Sequence, residues 1–253
     1  MHRFYLPPEQ CQSAELVLSE REAHHALRVL RLRREERVSV LDGRGHDFHC
    51  KVIGVRTSGV VLAVLQKNFT PTLPCQLTLL QAIPKGKTMD TIVQKATELG
   101  AARIVPLLSE RTTVELDKAD ATSKAAKWLA TAVEAIKQCG SPWLPALDVP
   151  RSTKEFLARV EKFDLPLIAS LQKDGRHPRG YLDQYRAERG AAPKSVCVWV
   201  GPEGDFTPAE LGAIRSAGAL PITLGPLILR CDTAAIYCLS VLNYELQSAA
   251  AAQ

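Results

Sequence analysis

The sequence predicts an α/β protein of two domains: a small β-rich domain over residues 1–72, and an α/β domain with a mostly parallel sheet over 73–253. Three observations lead there. Short alternating apolar runs, separated by Gly- and Asp-containing turns, crowd the first domain. Two prolines in Thr70-Pro71-Thr72-Leu73-Pro74 suit a linker better than a sheet. From Cys75 onward, apolar runs of strand length alternate with segments of helical period, and parallel strands need such crossovers.

In the first domain 37–41 reads as a strand, Asp42-Gly43-Arg44-Gly45 as a turn, 47–55 as a strand with Phe48, Cys50 and Val52 alternating, and 60–65 as another. One helix interrupts them. Ser19 and Glu22 are spaced as a capping box, and Ala23, Ala26, Leu27 and Leu30 share a face, while His24, His25, Arg28 and Arg31 point elsewhere. Short strands, one helix and an arginine face describe a small barrel that binds RNA; a structural adaptor domain would read the same way.

In the second domain 77–82 is a buried strand, and 88–99 a helix with the stripe Met89, Ile92, Val93, Ala96 and Leu99, stopped by Gly100. A strand over 103–108 and a helix over 123–139 follow, the latter ended by Gly140 and Pro142. Further strands are expected at 165–170 and 195–200. Thr207-Pro208-Ala209-Glu210 then opens a helix with Thr at the N-cap, Pro in the first position and Glu in the third, and Gly218 closes it. The last strand is 221–224 and the last helix 233–247, with an Ala-rich tail from Ala249 expected to fray.

Composition narrows the function classes. With 253 residues, 46% of them apolar, the chain can bury substantial cores. There is no run of about eighteen apolar residues for a membrane span. The segment Met1-His2-Arg3-Phe4-Tyr5-Leu6 lacks the apolar stretch of a secretion signal, so a cytoplasmic protein with no membrane partner is expected. Seven scattered cysteines without a Cys-x-x-Cys pair point to free thiols, with neither a disulfide framework nor a metal site. Net charge is only +5, yet the stretch 23–34 holds four arginines, Arg28, Arg31, Arg33 and Arg34, and no acid. Such a cluster fits a polyanion-binding surface and fits a solvated helix face as well.

Chemistry is expected where parallel strands end, because open α/β sheets bind ligands there. Two stretches share one grammar: Val196-Cys197-Val198-Trp199-Val200-Gly201-Pro202-Glu203-Gly204-Asp205, and Leu224-Gly225-Pro226-Leu227-Ile228-Leu229-Arg230-Cys231-Asp232-Thr233-Ala234-Ala235. Each passes from a strand end through a Gly/Pro loop toward a helix, and two such loops side by side make a pocket. Gly86-Lys87-Thr88 looks like the end of a phosphate-binding loop, but Gln81 stands where that signature needs glycine, which excludes a nucleotide triphosphatase of that type. Lys85 and Lys87 fit either a phosphate clamp at a helix N-terminus or two solvated loop lysines. No serine elbow and no Gly-x-Gly-x-x-Gly fingerprint occur, which argues against a hydrolase nucleophile and against a dinucleotide held in the usual manner.

Several motifs, read together, carry a resemblance. They are His24-His25 with Val29-Leu30-Arg31-Leu32, Gln94-Lys95-Ala96-Thr97-Glu98-Leu99-Gly100, Ser109-Glu110-Arg111, Gln138-Cys139-Gly140, Gly201-Pro202-Glu203-Gly204, and Leu224-Gly225-Pro226 with Leu229-Arg230 and Thr233-Ala234. In this order, over nearly the whole chain, they resemble the RsmE-type enzymes of the SPOUT superfamily. The resemblance implies an N-terminal PUA-like β-barrel for RNA, a C-terminal α/β domain whose last segment threads a deep trefoil knot, and a homodimer. It also implies S-adenosylmethionine (SAM) as methyl donor and N3-methylation of a uridine in small-subunit ribosomal RNA, free or in the assembled small subunit. Carried onto this chain, the cofactor pocket would comprise Leu171, Gly201, Glu203, Gly204, Leu224, Gly225 and Leu229.

The chain departs from the family pattern at Asp205, where a second glycine is usual, and at Leu227, where an arginine is common. Lys137 and Asp232 both stand where glutamate is usual. With Leu227 in that place, Arg230 is the arginine left in the loop to stabilise a uracil anion, and Glu203 or Asp232 could take the N3 proton. Equally, Glu203 could only order its loop and Asp232 could be the N-cap of the last helix. Arg3, Arg28, Arg31, Lys85, Lys87 and Arg111 are the candidates for the RNA backbone.

Overall fold

The computed structural model describes residues 1–56, 59–113, 116–172 and 174–247; the tail from Ala249 lies outside the described residues. The chain divides into two compact units, 1–72 with 133–144, and 73–132 with 145–253.

Among the described residues the first unit is built on five strands: β1 (His2–Tyr5), β2 (Glu15–Leu18), β3 (Arg37–Leu41), β4 (His46–Arg56) and β5 (Gly59–Phe69). They form one sheet in the order β1-β3-β4-β5-β2, with β1 parallel to β3 and the other pairs antiparallel. Alternation sends Val38, Val40, Phe48, Cys50, Val52, Val60 and Leu62 into a core with Phe4, Leu16 and Leu18. Helix α1 (Glu20–His24) runs on into a wider π-helical turn over His25–Val29, which buries Ala23 and Ala26.

The expected Ser19–Glu22 capping box does not form. The Ser19 side chain makes no capping bond. The Glu22 carboxylate instead meets Lys137 Nζ at 2.8 Å, in a pair whose side chains are only 15% and 6% exposed. A buried cation offers a carboxylate more than a backbone amide does at a solvated helix end, and the long-range pair takes precedence over the local one.

The second unit holds β6 (Gln76–Ala82), α2 (Thr88–Glu98), β7 (Arg103–Leu108), the first part of α3 (Lys118–Cys139), β8 (Ala146–Leu147), β9 (Arg151–Ser152), α4 (Thr153–Leu157), β10 (Leu165–Ala169), α5 (Pro178–Arg189), β11 (Ser195–Val200), α6 (Pro208–Ser216), β12 (Leu220–Ile222) and α7 (Cys231–Gln247). Its sheet has the order β12-β10-β11-β6-β7-β8, with β9 also on β7, and each of these pairings is parallel. Side chains of the central strands alternate between two faces. Leu80, Ala82, Val105, Leu107, Ile168 and Trp199 join Phe156 of α4 and Ile214 of α6 in one core. Helix α7 packs against β6, β11 and α2. The long apolar strands are what a sheet covered on both faces requires.

Helix α6 begins as its sequence dictates. The Thr207 side chain accepts from the Glu210 amide, and the Glu210 carboxylate accepts from the Thr207 amide. Asp232 falls in the first turn of α7, with Arg230 accepting from the Ala234 amide at 2.8 Å, so Asp232 is inside the helix and not at its N-cap.

Candidate active site

Because β12, β10 and β11 are adjacent and parallel, their carboxyl ends emerge on one edge of the sheet. From the loops that follow them, residues 170–172 with Gly175, 201–203 with Asp205, and 223–230 line a cavity of about 730 Å³. That volume suits a drug-sized organic ligand.

Most residues picked out in the sequence converge here. Leu171, Gly201, Glu203, Leu224, Gly225 and Leu229 line the cavity, as do Arg230, Asp232 and Glu203 of the proposed chemistry. Gly204 does not. Its carbonyl accepts a hydrogen bond from the Arg111 guanidinium, which ties the loop after β11 to the turn after β7. Glu203 makes a second tie, since its Oε1 accepts the Lys85 amide at 3.0 Å.

Two glycines in the lining have reasons in the backbone. A Cβ on Gly201 would lie 2.8 Å from Asp205 Oδ1 and 3.2 Å from Asp205 Cα, so the loop folds back tightly on itself. Gly225 has φ of +106°, a conformation that side chains rarely adopt, with open space beside it. Asp205, the departure from the glycine expected there, also has positive φ, at 60°. Aspartate tolerates this left-handed region better than most residues, and its Oδ1 holds the following Phe206 amide at 2.8 Å.

The backbone of the loop before α7 is available to a ligand. Between Gly225 and Arg230 no residue belongs to a helix or strand, and the amides of Leu227, Ile228 and Leu229 donate to no protein group among the described residues. Glu203, Asp205 and Asp232 line the cavity together with Arg230, its only arginine among the described residues. Cys231 is there too, but burial raises its thiol pKa, aided by the Glu203 charge, so it is held as the neutral thiol. Among the described residues no group of three or more His, Cys, Asp or Glu is gathered to hold a metal ion, and no helix is long and apolar enough to cross a membrane.

Sequence reasoning missed Thr88, Ser170, Gln172, Gly175 and Ile228 in the lining. The cationic candidates are spread more widely. Lys85 and Lys87 flank Gly86 at the start of α2 with exposed side chains. Arg28 and Arg31 are exposed on and just beyond the π-helical turn of the first unit, Arg31 with φ of 54°. Arg3 donates to the carbonyls of Lys137 and Gln138 at 3.3 and 3.1 Å, capping the last turn of α3 within that unit.

Residues 71–243 match the model of an RNA methyltransferase domain, and residues 18–65 that of an RNA methyltransferase PUA domain. The chain is 31% identical to the ribosomal RNA small subunit methyltransferase E of Aquifex aeolicus, covering 96% of this chain and 99% of that one. The Bacillus subtilis protein of the same name is 28% identical, with 98% of each covered. A putative methyltransferase from Legionella pneumophila, solved with bound SAM, superimposes with a TM-score of 0.86 at 33% identity, over 96% of this chain and 97% of that one. The ribosomal RNA small subunit methyltransferase E of Neisseria gonorrhoeae, bound to SAM, does so at 0.82 and 27%, over 97% and 98%.

Proposed function

Because the chain belongs to the RNA methyltransferase family, and along nearly its whole length to the ribosomal RNA small subunit methyltransferase E group, we propose that it transfers a methyl group from SAM to N3 of a uridine in small-subunit ribosomal RNA. The observation that carries this reading is the convergence of the Gly201, Leu224–Gly225 and Leu229 segments with Arg230 on one cavity.

The cavity fits such a donor. Free amides at 227–229 and apolar side chains at Leu224 and Leu229 suit an adenosine moiety, and the three carboxylates suit a cationic one. When bound, SAM supplies a methyl already activated by a positive sulfonium.

What remains for the protein is to place and deprotonate the base. Uridine N3 carries a proton and lies on the Watson–Crick edge, so the nucleotide must be unpaired or flipped to enter. Arg230 would stabilise negative charge spreading to the uracil oxygens. Glu203 or Asp232 would accept the proton. Each has an oxygen beyond the one already engaged, Glu203 Oε1 by Lys85 and Asp232 Oδ1 by the Thr233 amide.

The substrate is read as ribosomal RNA, free or in the assembled small subunit, which places the work in the cytoplasm. Arg28 and Arg31 in the first unit, with Lys85 and Lys87 in the second, are assigned to its phosphates; Arg3 and Arg111 keep a smaller share, being committed to the α3 cap and to the Gly204 carbonyl. The homodimer and the knotted threading of the last segment belong to the same reading. Leu227, Ile228 and Tyr237, which are 74%, 83% and 42% exposed, supply apolar surface for a second copy.

Calorimetry tests this first. The chain is expected to bind SAM with one molecule per protomer. A chain that binds small-subunit RNA but no SAM would instead be a non-catalytic assembly factor on the same fold.

A further inference from the structure

Glu210 is only 7% exposed at the third position of α6, and no lysine or arginine is paired with it among the described residues. Burial of an unpaired carboxylate is costly unless hydrogen-bond donors replace the water it loses. Three do so here. Its Oε1 accepts the Glu110 amide at 3.1 Å and the Thr153 hydroxyl at 2.8 Å, and its Oε2 accepts the Thr207 amide at 3.1 Å. A capping box needs only the last of these. The other two reach the turn after β7 and the first residue of α4.

Glu110 closes the arrangement from the far side, its Oε2 accepting the Thr207 hydroxyl at 2.8 Å. The turn it belongs to is held internally: Thr112 Oγ1 accepts the Ser109 amide at 3.1 Å, and the Thr112 amide donates to the Ser109 carbonyl at 2.9 Å. From this turn Arg111 reaches across to the Gly204 carbonyl. Glu210 therefore grips the 201–207 loop twice, directly at Thr207 and through Glu110 and Arg111 at Gly204. It does not itself line the cavity.

We infer that Glu210 is a positioning residue, setting the backbone of Gly201 and Glu203 for the methyl donor without touching it. This rests on the SAM reading above. A wrongly placed loop would be felt as weaker donor binding, because its correct form would first have to be selected from others.

The test is Glu210→Gln, which keeps size and one acceptor but turns an NH2 group toward a backbone amide. SAM affinity, measured by calorimetry without RNA, is expected to weaken about tenfold, the effect of leaving one buried donor unmatched. RNA affinity and kcat at saturating SAM should stay near parental values, and hydrogen exchange across 201–206 should speed up. Combined with Arg111→Ala, the losses in SAM affinity should multiply incompletely, since both changes act on one loop. If Glu210→Gln does not fold, Thr153→Val removes a single donor and should weaken SAM about threefold. Parental SAM affinity and exchange in the folded variant, fully multiplicative losses of SAM affinity, or an equal loss of RNA affinity in Glu210→Gln alone would each overturn the inference. A parent that binds no SAM would refute the functional reading, and exchange at 201–206 would still decide whether Glu210 braces the loop.

Discussion

Replacing Gly201 by alanine probes the fold-back that shapes the proposed donor loop. The new Cβ would lie 2.8 Å from Asp205 Oδ1, 3.2 Å from Asp205 Cα and 3.3 Å from Phe206 N. Rotating the Asp205 side chain relieves only the first contact; the other two are backbone, so the loop itself must open by a few tenths of an ångström. Overpacking of this kind costs about 1–3 kcal/mol. If that cost falls on the binding-competent loop, SAM affinity drops roughly 5- to 140-fold, at tenfold per 1.4 kcal/mol. Adding Asp205→Gly removes the nearest atom and the strain of φ at 60°, so the double variant should recover part of the loss. Calorimetry with SAM reads the affinities, and urea unfolding checks that each variant keeps its fold. Parental affinity in Gly201→Ala, or a double variant no better than the single, would refute the reasoning.

Three further outcomes are expected. Arg230→Ala should leave SAM affinity within about threefold while turnover at saturating RNA and SAM falls by a hundredfold or more, the usual scale for losing a charge-stabilising group; intact turnover would remove Arg230 from the chemistry. Lys137→Met leaves the Glu22 carboxylate buried and unpaired, so stability to urea should fall by about 3–5 kcal/mol and recover partly with Glu22→Gln. Burial raises the pKa of Cys11, Cys50, Cys75, Cys197 and Cys238 from 9.0 to about 12, while Cys139 is exposed, so alkylation of the folded chain should begin at Cys139. The raised values also fix a sign: the unfolded chain loses these protons first, so the stability they confer is complete below about pH 9 and is lost between there and about pH 12, as alkaline unfolding should show.

The parallel α/β unit was legible because its signals are local and redundant. Thr207-Pro208-Ala209-Glu210 starts α6 where it should, and the apolar runs at 77–82 and 195–200 are strands β6 and β11. Elements with weak periodicity were not seen, among them β1, the two-residue strands β8 and β9, and α5, whose helix is rich in charge. The Ser19–Glu22 spacing misled because Glu22 is claimed by Lys137, a residue 115 positions away, and no local pattern reports such a partner.

The site was legible to the same extent. Gly201, Leu224, Gly225 and Arg230 are marked by their loops, whereas Ser170 and Gln172 line the cavity because β10 lies between β12 and β11, and strand order is not written in any one segment. The resemblance supplied Leu171 from that loop, whose lone Gly175 carries no Gly/Pro signature like those after β11 and β12. Arg111 sits at a strand end as foreseen, yet its partner is the Gly204 carbonyl.

The most direct test of the account supplies isotope-labelled SAM to the chain with small ribosomal subunits, and separately with naked ribosomal RNA and transfer RNA, and maps the modified nucleotide. Label at N3 of one uridine in the small-subunit RNA is the predicted result. Label confined to transfer RNA, or none in any RNA despite SAM binding, would contradict it.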